Sequence, residues 1–273
     1  MKPILQIRNV SKSFEQEKSA VEKLCSTLGM DSKTHRVRAL DDVNLDVFPG
    51  EVLGLVGESG CGKSTLARIA SGLMQPSSGQ VFLEGSDLSA LLGVHRQKAQ
   101  QRIQMIFQDP LGSLNPRMRV AHQIGEAPWR FALVPDKAQL AEEVDRLLSL
   151  VGLDGSFAER YPHQLSGGQR ARVAIARALS VRPQVLICDE SLASLDVSIQ
   201  AQILNLFITL RSELALTYVF VSHDLSVVRL IADRVAVMYL GRVVEQGDSQ
   251  QIFDSPAHPY TCLLYTSDAA DEG

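Results

Sequence analysis

Residues 57–65 have the composition of a loop that binds phosphate groups. They read Gly-Glu-Ser-Gly-Cys-Gly-Lys-Ser-Thr, between an apolar run at residues 52–56 and a helix-like segment that ends at Gly72. Glycines let successive backbone N–H groups converge on a polyphosphate, and a helix N-terminus adds unsatisfied donors and the positive end of its dipole. We expect Lys63 to reach the β- and γ-phosphates and the Ser64 hydroxyl to bind Mg²⁺. An ordinary glycine turn followed by a chance Lys-Ser would not need the flanking strand and helix. The pattern predicts a nucleoside triphosphate site, whose candidate residues are Gly57, Ser59, Gly60, Cys61, Gly62, Lys63, Ser64 and Thr65.

Two adjacent carboxylates follow another apolar run. Residues 185–188 read Val-Leu-Ile-Cys and lead directly into Asp189 and Glu190. A continuous apolar run of this kind is typical of a buried parallel strand. Asp189 suits the shell of a Mg²⁺ ion, directly or through water, whereas Glu190 points elsewhere and can orient or deprotonate an attacking water. A solvated acidic strand end is the alternative, and the phosphate-type loop in the same chain argues against it.

A second glycine-containing segment has the features of an anion site. Leu-Ser-Gly-Gly-Gln at residues 165–169 opens a helix predicted for residues 170–179. A serine followed by glycines at a helix N-terminus presents backbone donors to an anion. An N-cap with a flexible linker would explain the serine but leaves the Gly-Gly-Gln run unexplained. The candidate residues of this second phosphate-type site are Ser166, Gly167, Gly168 and Gln169.

Two polar residues follow predicted strands where ligands commonly bind. His223 lies just beyond the strand at residues 218–221, and Gln108 just beyond the strand at residues 103–107. Ligands of α/β sheets bind at the carboxyl ends of the strands. A lone histidine is more often structural than catalytic, but this position favours a functional role for His223, and the same argument applies to Gln108.

The composition limits the classes of protein that fit. The 273 residues are 45% hydrophobic and carry a net charge of −4, with a sequence pI near 5.9. This acidic balance argues against nucleic acid as a partner, because dedicated nucleic-acid-binding proteins usually have a basic face. No apolar run approaches the roughly 18 residues of a membrane helix. The cysteines have no metal-ligand spacing, so we expect Cys61 and Cys188 to be buried in a reduced, cytoplasmic setting.

Strand patterns occupy both ends of the chain, and a helical pattern separates them. Short apolar runs predict strands near residues 4–10, 40–47, 52–56, 80–83, 103–107, 185–188 and 218–221, with a hairpin around Gly241. Between residues 110 and 166 the strand signals vanish and apolar residues recur at helical spacing. The sequence therefore predicts an α/β protein with a helical insertion. The apolar stripe along residues 199–214 is interpreted as core packing.

The chain resembles the ATP-binding subunit of an ABC transporter over nearly its whole length. Residues 165–169 match the signature motif of that family, which separates it from other phosphate-loop proteins better than the loop itself does. The resemblance implies ATP and Mg²⁺ as ligands. It assigns a role to each polar candidate: Lys63 and Ser64 hold phosphate and Mg²⁺, Gln108 contacts Mg²⁺ and water, Asp189 is the metal-side acid, Glu190 is the general base and His223 senses the γ-phosphate.

Further positions acquire roles from the resemblance alone. Phe14 resembles the aromatic residue that stacks on adenine, and Asp196 ends a segment that communicates between the two nucleotide sites. The chain departs from the family at Ser191, where proline is common, and at Ala171, where glutamine is common. Neither departure touches a position that contacts phosphate, so hydrolysis remains the expectation.

The resemblance also implies an architecture. It predicts a RecA-like phosphate-loop NTPase core with an antiparallel β subdomain and an inserted α-helical signature subdomain. The implied divisions are residues 1–108 for the first part of the core, with an inserted loop at 15–38, residues 109–168 for the helical subdomain and residues 169–261 for the second part of the core. Residues 262–273 read like a translated sequencing adapter, so we expect a non-native tail there.

Short segments also resemble the dipeptide, oligopeptide and nickel importers of this family. They are Phe-Gln-Asp-Pro at residues 107–110, Ser-Leu-Asn-Pro-Arg-Met at 113–118, Arg-Tyr-Pro-His at 160–163, Asp-Val-Ser-Ile-Gln at 196–200 and His-Pro-Tyr-Thr at 258–261. The resemblance implies membrane permease subunits and a second, identical or related, ATP-binding subunit as partners. It also implies an indirect link to a solute-binding protein and a peripheral location on the cytoplasmic face of the inner membrane.

Three alternatives stay open. An ABC protein of DNA repair, chromosome structure or translation usually has paired nucleotide domains, a coiled-coil insert or basic arms, whereas this chain has one nucleotide domain and an acidic balance. A regulatory module that holds ATP without turnover would not need Glu190 and His223. Within the importers, nickel or another non-peptide solute is the alternative to peptides.

Overall fold

A computed structural model describes residues 1–15, 36–108, 110–193 and 195–264 of the chain. Most of the predicted inserted loop (residues 16–35), Asp109, Ser194 and residues 265–273 lie outside the described residues. None of the described helices is both long and apolar enough to cross a membrane.

Ten strands within the described residues form two sheets. The strands are β1 (Leu5–Glu15), β2 (Arg36–Val47), β3 (Val52–Val56), β4 (Ser78–Leu83), β5 (Ser86–Asp87), β6 (Ile103–Ile106), β7 (Val185–Asp189), β8 (Thr217–Val221), β9 (Arg234–Tyr239) and β10 (Arg242–Asp248). The first sheet is antiparallel with the order β2-β1-β4-β5. The second has the order β10-β9-β3-β8-β7-β6, in which all neighbours are parallel except the β9–β10 hairpin.

In the chain, the α-helices lie between strands of the second sheet, except the last, which follows β10. They are α1 (Lys63–Ala70), α2 (Gly93–Arg102), α3 (Pro110–Ser113), α4 (Val120–Arg130), α5 (Lys137–Leu150), α6 (Gly167–Leu179), α7 (Val197–Leu214), α8 (Leu225–Ile231) and α9 (Ser249–Asp254), with 3₁₀ turns at Gly155–Glu159 and Pro162–Gln164. Helices α3, α4 and α5 follow β6 and precede α6. The helical insertion predicted from the loss of strand signals is thus present.

The second sheet is packed on both faces, as the continuous apolar runs predict. Every residue of β3, β7 and β8 is buried. Because side chains alternate along a strand, Val52 and Val56 join one apolar core, which extends into α4, α5 and α6. Leu53 and Leu55 join a second core, which extends into α1 and the antiparallel sheet. Two cores therefore fix the strand ends from which the site residues project.

Some elements begin or occur where the sequence did not predict them. Helix α1 begins at Lys63 and α6 at Gly167, each within its glycine motif rather than after it. Helix α2 was not predicted, since its sequence is almost wholly polar and only Ala99 is buried. Helix α4 lies within the predicted helical insertion, but its own bounds were not predicted, because Pro128 lies inside it and proline normally disrupts a helix interior.

Candidate nucleotide-binding site

The phosphate-type loop joins β3 to α1 and depends on two of its glycines. Gly57 has a φ of +146°, and a Cβ atom added there would lie 2.2 Å from the carbonyl oxygen of Met238. Gly62 has a φ of +109°, and a Cβ atom there would lie 2.5 Å from the carbonyl oxygen of Ala39. Both positions exclude a side chain through conformation and close approach. The loop is thus held against β9 and β2 by backbone contacts that only glycine allows.

The Lys63 ammonium group lies within the curve of this loop. Its side chain is buried, and Nζ donates hydrogen bonds to the carbonyl oxygens of Gly57 at 2.6 Å and Glu58 at 2.9 Å. Burial of a charge is tolerated only where polar partners replace water. The loop's own carbonyls provide those partners, so the positive charge is held at the start of α1, beside the helix donors that favour an anion.

Ser64 and Asp189 bring a hydroxyl and a carboxylate together. The Ser64 Oγ donates a 2.8 Å hydrogen bond to Oδ1 of Asp189, which ends β7 and is 3% exposed. Burial raises the pKa of the Asp189 carboxyl, against the lowering effect of the Ser64 hydrogen bond. Mg²⁺ prefers hard oxygen ligands and is typically held by one or two carboxylates together with substrate phosphates. This oxygen pair beside Lys63 fits a Mg²⁺ ion, although no cluster of three acidic, histidine or cysteine side chains occurs among the described residues.

Glu190 contacts both of the polar residues that follow neighbouring strands. Its Oε2 accepts a 2.8 Å hydrogen bond from Nε2 of Gln108, and its Oε1 lies 3.5 Å from Nδ1 of His223. The backbone of Glu190 has a φ of +47°, and its N–H donates to the carbonyl oxygen of Val221 at 3.0 Å. Glu190 follows β7 directly, and its left-handed backbone conformation is uncommon for a residue other than glycine.

The order of the strands explains why Gln108, Glu190 and His223 lie together. Strands β6, β7 and β8 are adjacent and parallel, so their carboxyl ends lie at one edge of the sheet. Gln108, Glu190 and His223 come after these three strands in that order. Strand β3, which leads into the phosphate-type loop, is the next neighbour of β8. A carboxylate between an amide and an imidazole at this edge can accept a proton from a water molecule that attacks a bound phosphate.

Residues 165–169 form a capped helix start whose outer surface is exposed. Ser166 Oγ accepts a 3.3 Å hydrogen bond from the N–H of Gln169, and Gln169 Oε1 accepts a 3.0 Å hydrogen bond from the N–H of Ser166. This reciprocal capping box explains Gln169 as well as Ser166 in structural terms. A Cβ atom on Gly168 would lie 2.8 Å from Cγ2 of Ile199, so this glycine permits close packing of α6 on α7. Among the described residues, no hydrogen bond joins this segment to the loop at residues 57–65.

Of the remaining sequence candidates, Phe14 and Asp196 lie outside the phosphate-type loop, and Cys61 and Thr65 belong to it. Phe14 lies near the end of β1, is 40% exposed and has the Lys12 ammonium 5.4 Å from its ring centre. Asp196 precedes α7 and makes no side-chain cap to that helix. Thr65 lies in the first turn of α1 and is half-buried. Cys61 is buried, as expected, and its burial raises the pKa of its thiol.

Residues near the C-terminal end of the described chain also touch the loop, which the sequence did not predict. The N–H of Glu58 donates a 3.1 Å hydrogen bond to the Tyr260 hydroxyl, and the N–H of Gly241 donates to the carbonyl oxygen of Cys61 at 2.9 Å. Tyr260 belongs to the His-Pro-Tyr-Thr segment, in which we found only a resemblance to importers. Glu58 and Tyr260 are 202 positions apart, so local sequence patterns cannot predict their contact.

The fold and the site define an enzyme that hydrolyses nucleoside triphosphates. The family model described as "ABC transporter" matches residues 40–193, more than half of the chain. The chain is 46% identical over 265 residues to the oligopeptide transport ATP-binding protein AppF of Bacillus subtilis, a match that covers 97% of this chain and 78% of that protein. It is 45% identical over 265 residues to the dipeptide transport ATP-binding protein DppF of Escherichia coli, covering 97% and 76%. The chain belongs to the ABC transporter family.

Solved structures of ATP-binding cassettes share the fold. A dimeric post-hydrolysis state of one cassette, bound to ADP and Pi, matches with a TM-score of 0.75 and 27% identity over 90% of this chain and 98% of that one. The structure of cbiO1 from Clostridium perfringens, part of the ABC transporter complex cbiONQ, matches with a TM-score of 0.75 and 28% identity over 93% and 92%. The α/β phosphate-loop fold predicted from the sequence is confirmed, and so is the ATPase class.

Proposed function

We propose that this chain hydrolyses ATP to power the import of peptides, or of a similar small solute, through a membrane permease. The observation that carries the proposal is the cluster of Gln108, Glu190 and His223 beside the loop that holds Lys63. Similarity to transport ATP-binding proteins for oligopeptides and dipeptides supports the solute class. Importers of nickel or of another non-peptide solute are the second candidate, favoured by the resemblance of the short importer segments.

The proposed chemistry divides the residues into three tasks. Lys63 and the backbone donors of the loop bind the phosphates of ATP, and Ser64 and Asp189 hold Mg²⁺. The ion would neutralise charge on the phosphate oxygens when it is bound. Glu190 orients a water molecule and accepts its proton. Gln108 donates a hydrogen bond to one oxygen of that carboxylate, and His223 lies 3.5 Å from the other.

We propose that two cassettes complete each site. Ser166 and Gly167 are exposed, and their segment has no hydrogen bond to the loop at residues 57–65 within the described chain. In a head-to-tail pair, the signature segment of one subunit would cover ATP bound to the loop of the other. The dimeric arrangement of the structural neighbour bound to ADP and Pi supports this proposal. The second subunit is an identical or a related chain.

The permease contact is proposed for the surface beside Gln108. A groove of about 410 Å³ lies between the second sheet and the helical insertion, and its lining includes Phe107, Glu126 and Arg130. Gln108 follows Phe107 directly, so a permease segment in this groove would lie next to the residue that holds Glu190. This placement would keep the chain on the cytoplasmic face of the inner membrane through its permease partners, with a solute-binding protein acting from the other side.

Reconstitution tests the proposed function. The chain is co-purified with the permease subunits of a peptide importer and inserted into lipid vesicles, and uptake of a labelled dipeptide, a labelled oligopeptide and ⁶³Ni²⁺ is followed with and without ATP. We expect ATP-dependent uptake of a peptide that is lost with Glu190→Gln. Uptake of nickel without uptake of either peptide would show that the solute is nickel. ATP hydrolysis without any permease association would favour an ABC protein outside transport.

A further inference from the structure

A single peptide group in the phosphate-binding loop is held at both of its ends. The carbonyl of Gly57 accepts the 2.6 Å hydrogen bond from Nζ of Lys63, and the N–H of the same peptide, which belongs to Glu58, donates to the Tyr260 hydroxyl at 3.1 Å. A peptide is planar, and in the trans form its N–H and C=O groups point in opposite directions. Fixing the N–H on Tyr260 therefore directs the carbonyl at Lys63.

We propose that Tyr260 is a positioning residue for the ATP-binding loop, acting through the peptide that holds the Lys63 ammonium. This inference rests on the proposed binding of ATP at that loop. Glycine at position 57 has wide backbone freedom, so the peptide after it could rotate if nothing held its N–H. The Tyr260 hydroxyl removes that freedom from the segment that must present Lys63 to the phosphates.

Tyr260 is itself held firmly enough for this task. It is 8% exposed, and its ring packs against the ring of Tyr239, with 4.2 Å between centroids and an interplanar angle of 35°. The Glu245 carboxylate accepts hydrogen bonds from the N–H groups of Ala257 at 2.7 Å and His258 at 3.1 Å. These two hydrogen bonds hold the segment before Tyr260 against β10.

The hydroxyl of Tyr260 makes the proposed contact with the loop, whereas its ring only packs. Tyr260→Phe keeps the ring and its packing but leaves the Glu58 N–H without its acceptor. A loop that is no longer fixed must be ordered when ATP binds, and this ordering reduces affinity. Glu190, Gln108 and His223 are untouched, so the chemical step should keep its rate. The expected signature is a raised KM for ATP with a nearly constant kcat.

The chain offers a matched control within the same ring pair. Tyr239→Phe removes a hydroxyl that makes no hydrogen bond in the described part of the chain, while keeping the contact with Tyr260. We measure KM and kcat for ATP, the Kd of a non-hydrolysable Mg-ATP analogue and the unfolding temperature without nucleotide, for the full wild-type chain and both variants. Loss of one hydrogen bond predicts a KM and a Kd about threefold to tenfold higher in Tyr260→Phe, and wild-type values in Tyr239→Phe.

Each outcome bears on the proposal. Equal KM and Kd in wild-type and Tyr260→Phe proteins would overturn it, and so would an equal rise in both variants. A lower kcat at constant KM in Tyr260→Phe would also overturn it, because that result assigns Tyr260 to the chemical step. Failure of the wild-type chain to bind the Mg-ATP analogue would instead refute the proposed function, which separates the two failures.

Discussion

Nε2 of Gln108 donates a 2.8 Å hydrogen bond to Oε2 of Glu190, across 82 positions of sequence. The contact exists because β6 and β7 are parallel neighbours that end at the same edge of the sheet. The donor occupies one carboxylate oxygen, and His223 lies on the side of the other. A permease that moves the segment after Phe107 would therefore change the environment of the proposed base directly.

Glu190→Gln is expected to bind Mg-ATP but to hydrolyse it far more slowly. The amide cannot accept a proton from water, and a general base typically contributes about 10²–10⁴-fold to the rate. Phosphate release and nucleotide binding are measured on the same preparation. Glu213→Gln, an exposed acid on α7, serves as the control with wild-type turnover. Near-wild-type hydrolysis by purified Glu190→Gln would remove Glu190 from the role of base.

Lys63→Ala is expected to lose ATP binding itself. The substitution removes the buried ammonium that the loop carbonyls hold, and hydrogen bonds to charged groups contribute about 1.5–3 kcal/mol each. Two lost phosphate contacts predict an affinity at least about 100-fold lower in a fluorescence titration. Lys98→Ala, on the exposed side of α2, should bind as the wild-type chain does. Equal affinities of Lys63→Ala and Lys98→Ala would contradict the assignment.

Strands and motifs were predictable because their signals are local. The buried runs of β3, β7 and β8 are continuous and apolar, and the loop is defined by residue types at fixed spacing. Helix α2 gives no periodic signal, since it buries one residue. The sequence indicated a functional role for Glu190 and for Gln108 but not their contact, because the order of strands in a sheet is not a local signal. The contact between Glu58 and Tyr260 could not be predicted either, because it depends on a segment that follows β10 and returns to β3.

The Glu245 carboxylate predicts a pH dependence of stability. Burial acts to raise its pKa, but the hydrogen bonds, including those from the N–H groups of Ala257 and His258, leave that pKa below its ordinary value of 4.5. A carboxyl with a lowered pKa in the folded state stabilises it above the pKa of the unfolded chain, and this contribution disappears as the pH falls through the folded-state pKa. Stability from Glu245 is therefore complete above about pH 5 and lost in stronger acid.

Comparison with Glu245→Gln measures this contribution. The two N–H groups use different oxygens of the carboxylate, and an amide has one acceptor oxygen and one NH₂ group. One N–H therefore loses its acceptor, and we expect a loss of about 1–3 kcal/mol at pH 7. Unfolding temperatures of the two proteins are recorded from pH 7 downward. They should converge at pH values below those at which carboxyl groups ordinarily titrate. A difference that stays constant over the whole pH range would contradict an ionised Glu245 as the acceptor.

We propose that one chain cannot complete an active site, and a mixed dimer of two inactive variants tests this. Lys63→Ala inactivates the loop of one subunit, and Ser166→Arg inactivates the exposed signature segment of the other. Each variant alone should lack ATPase activity. In the mixed pair, the intact loop of the Ser166→Arg subunit faces the intact signature of the Lys63→Ala subunit. We expect mixing to restore ATP hydrolysis at this single composite site. No recovery in a pair that demonstrably assembles would show that the two segments do not form one site across subunits.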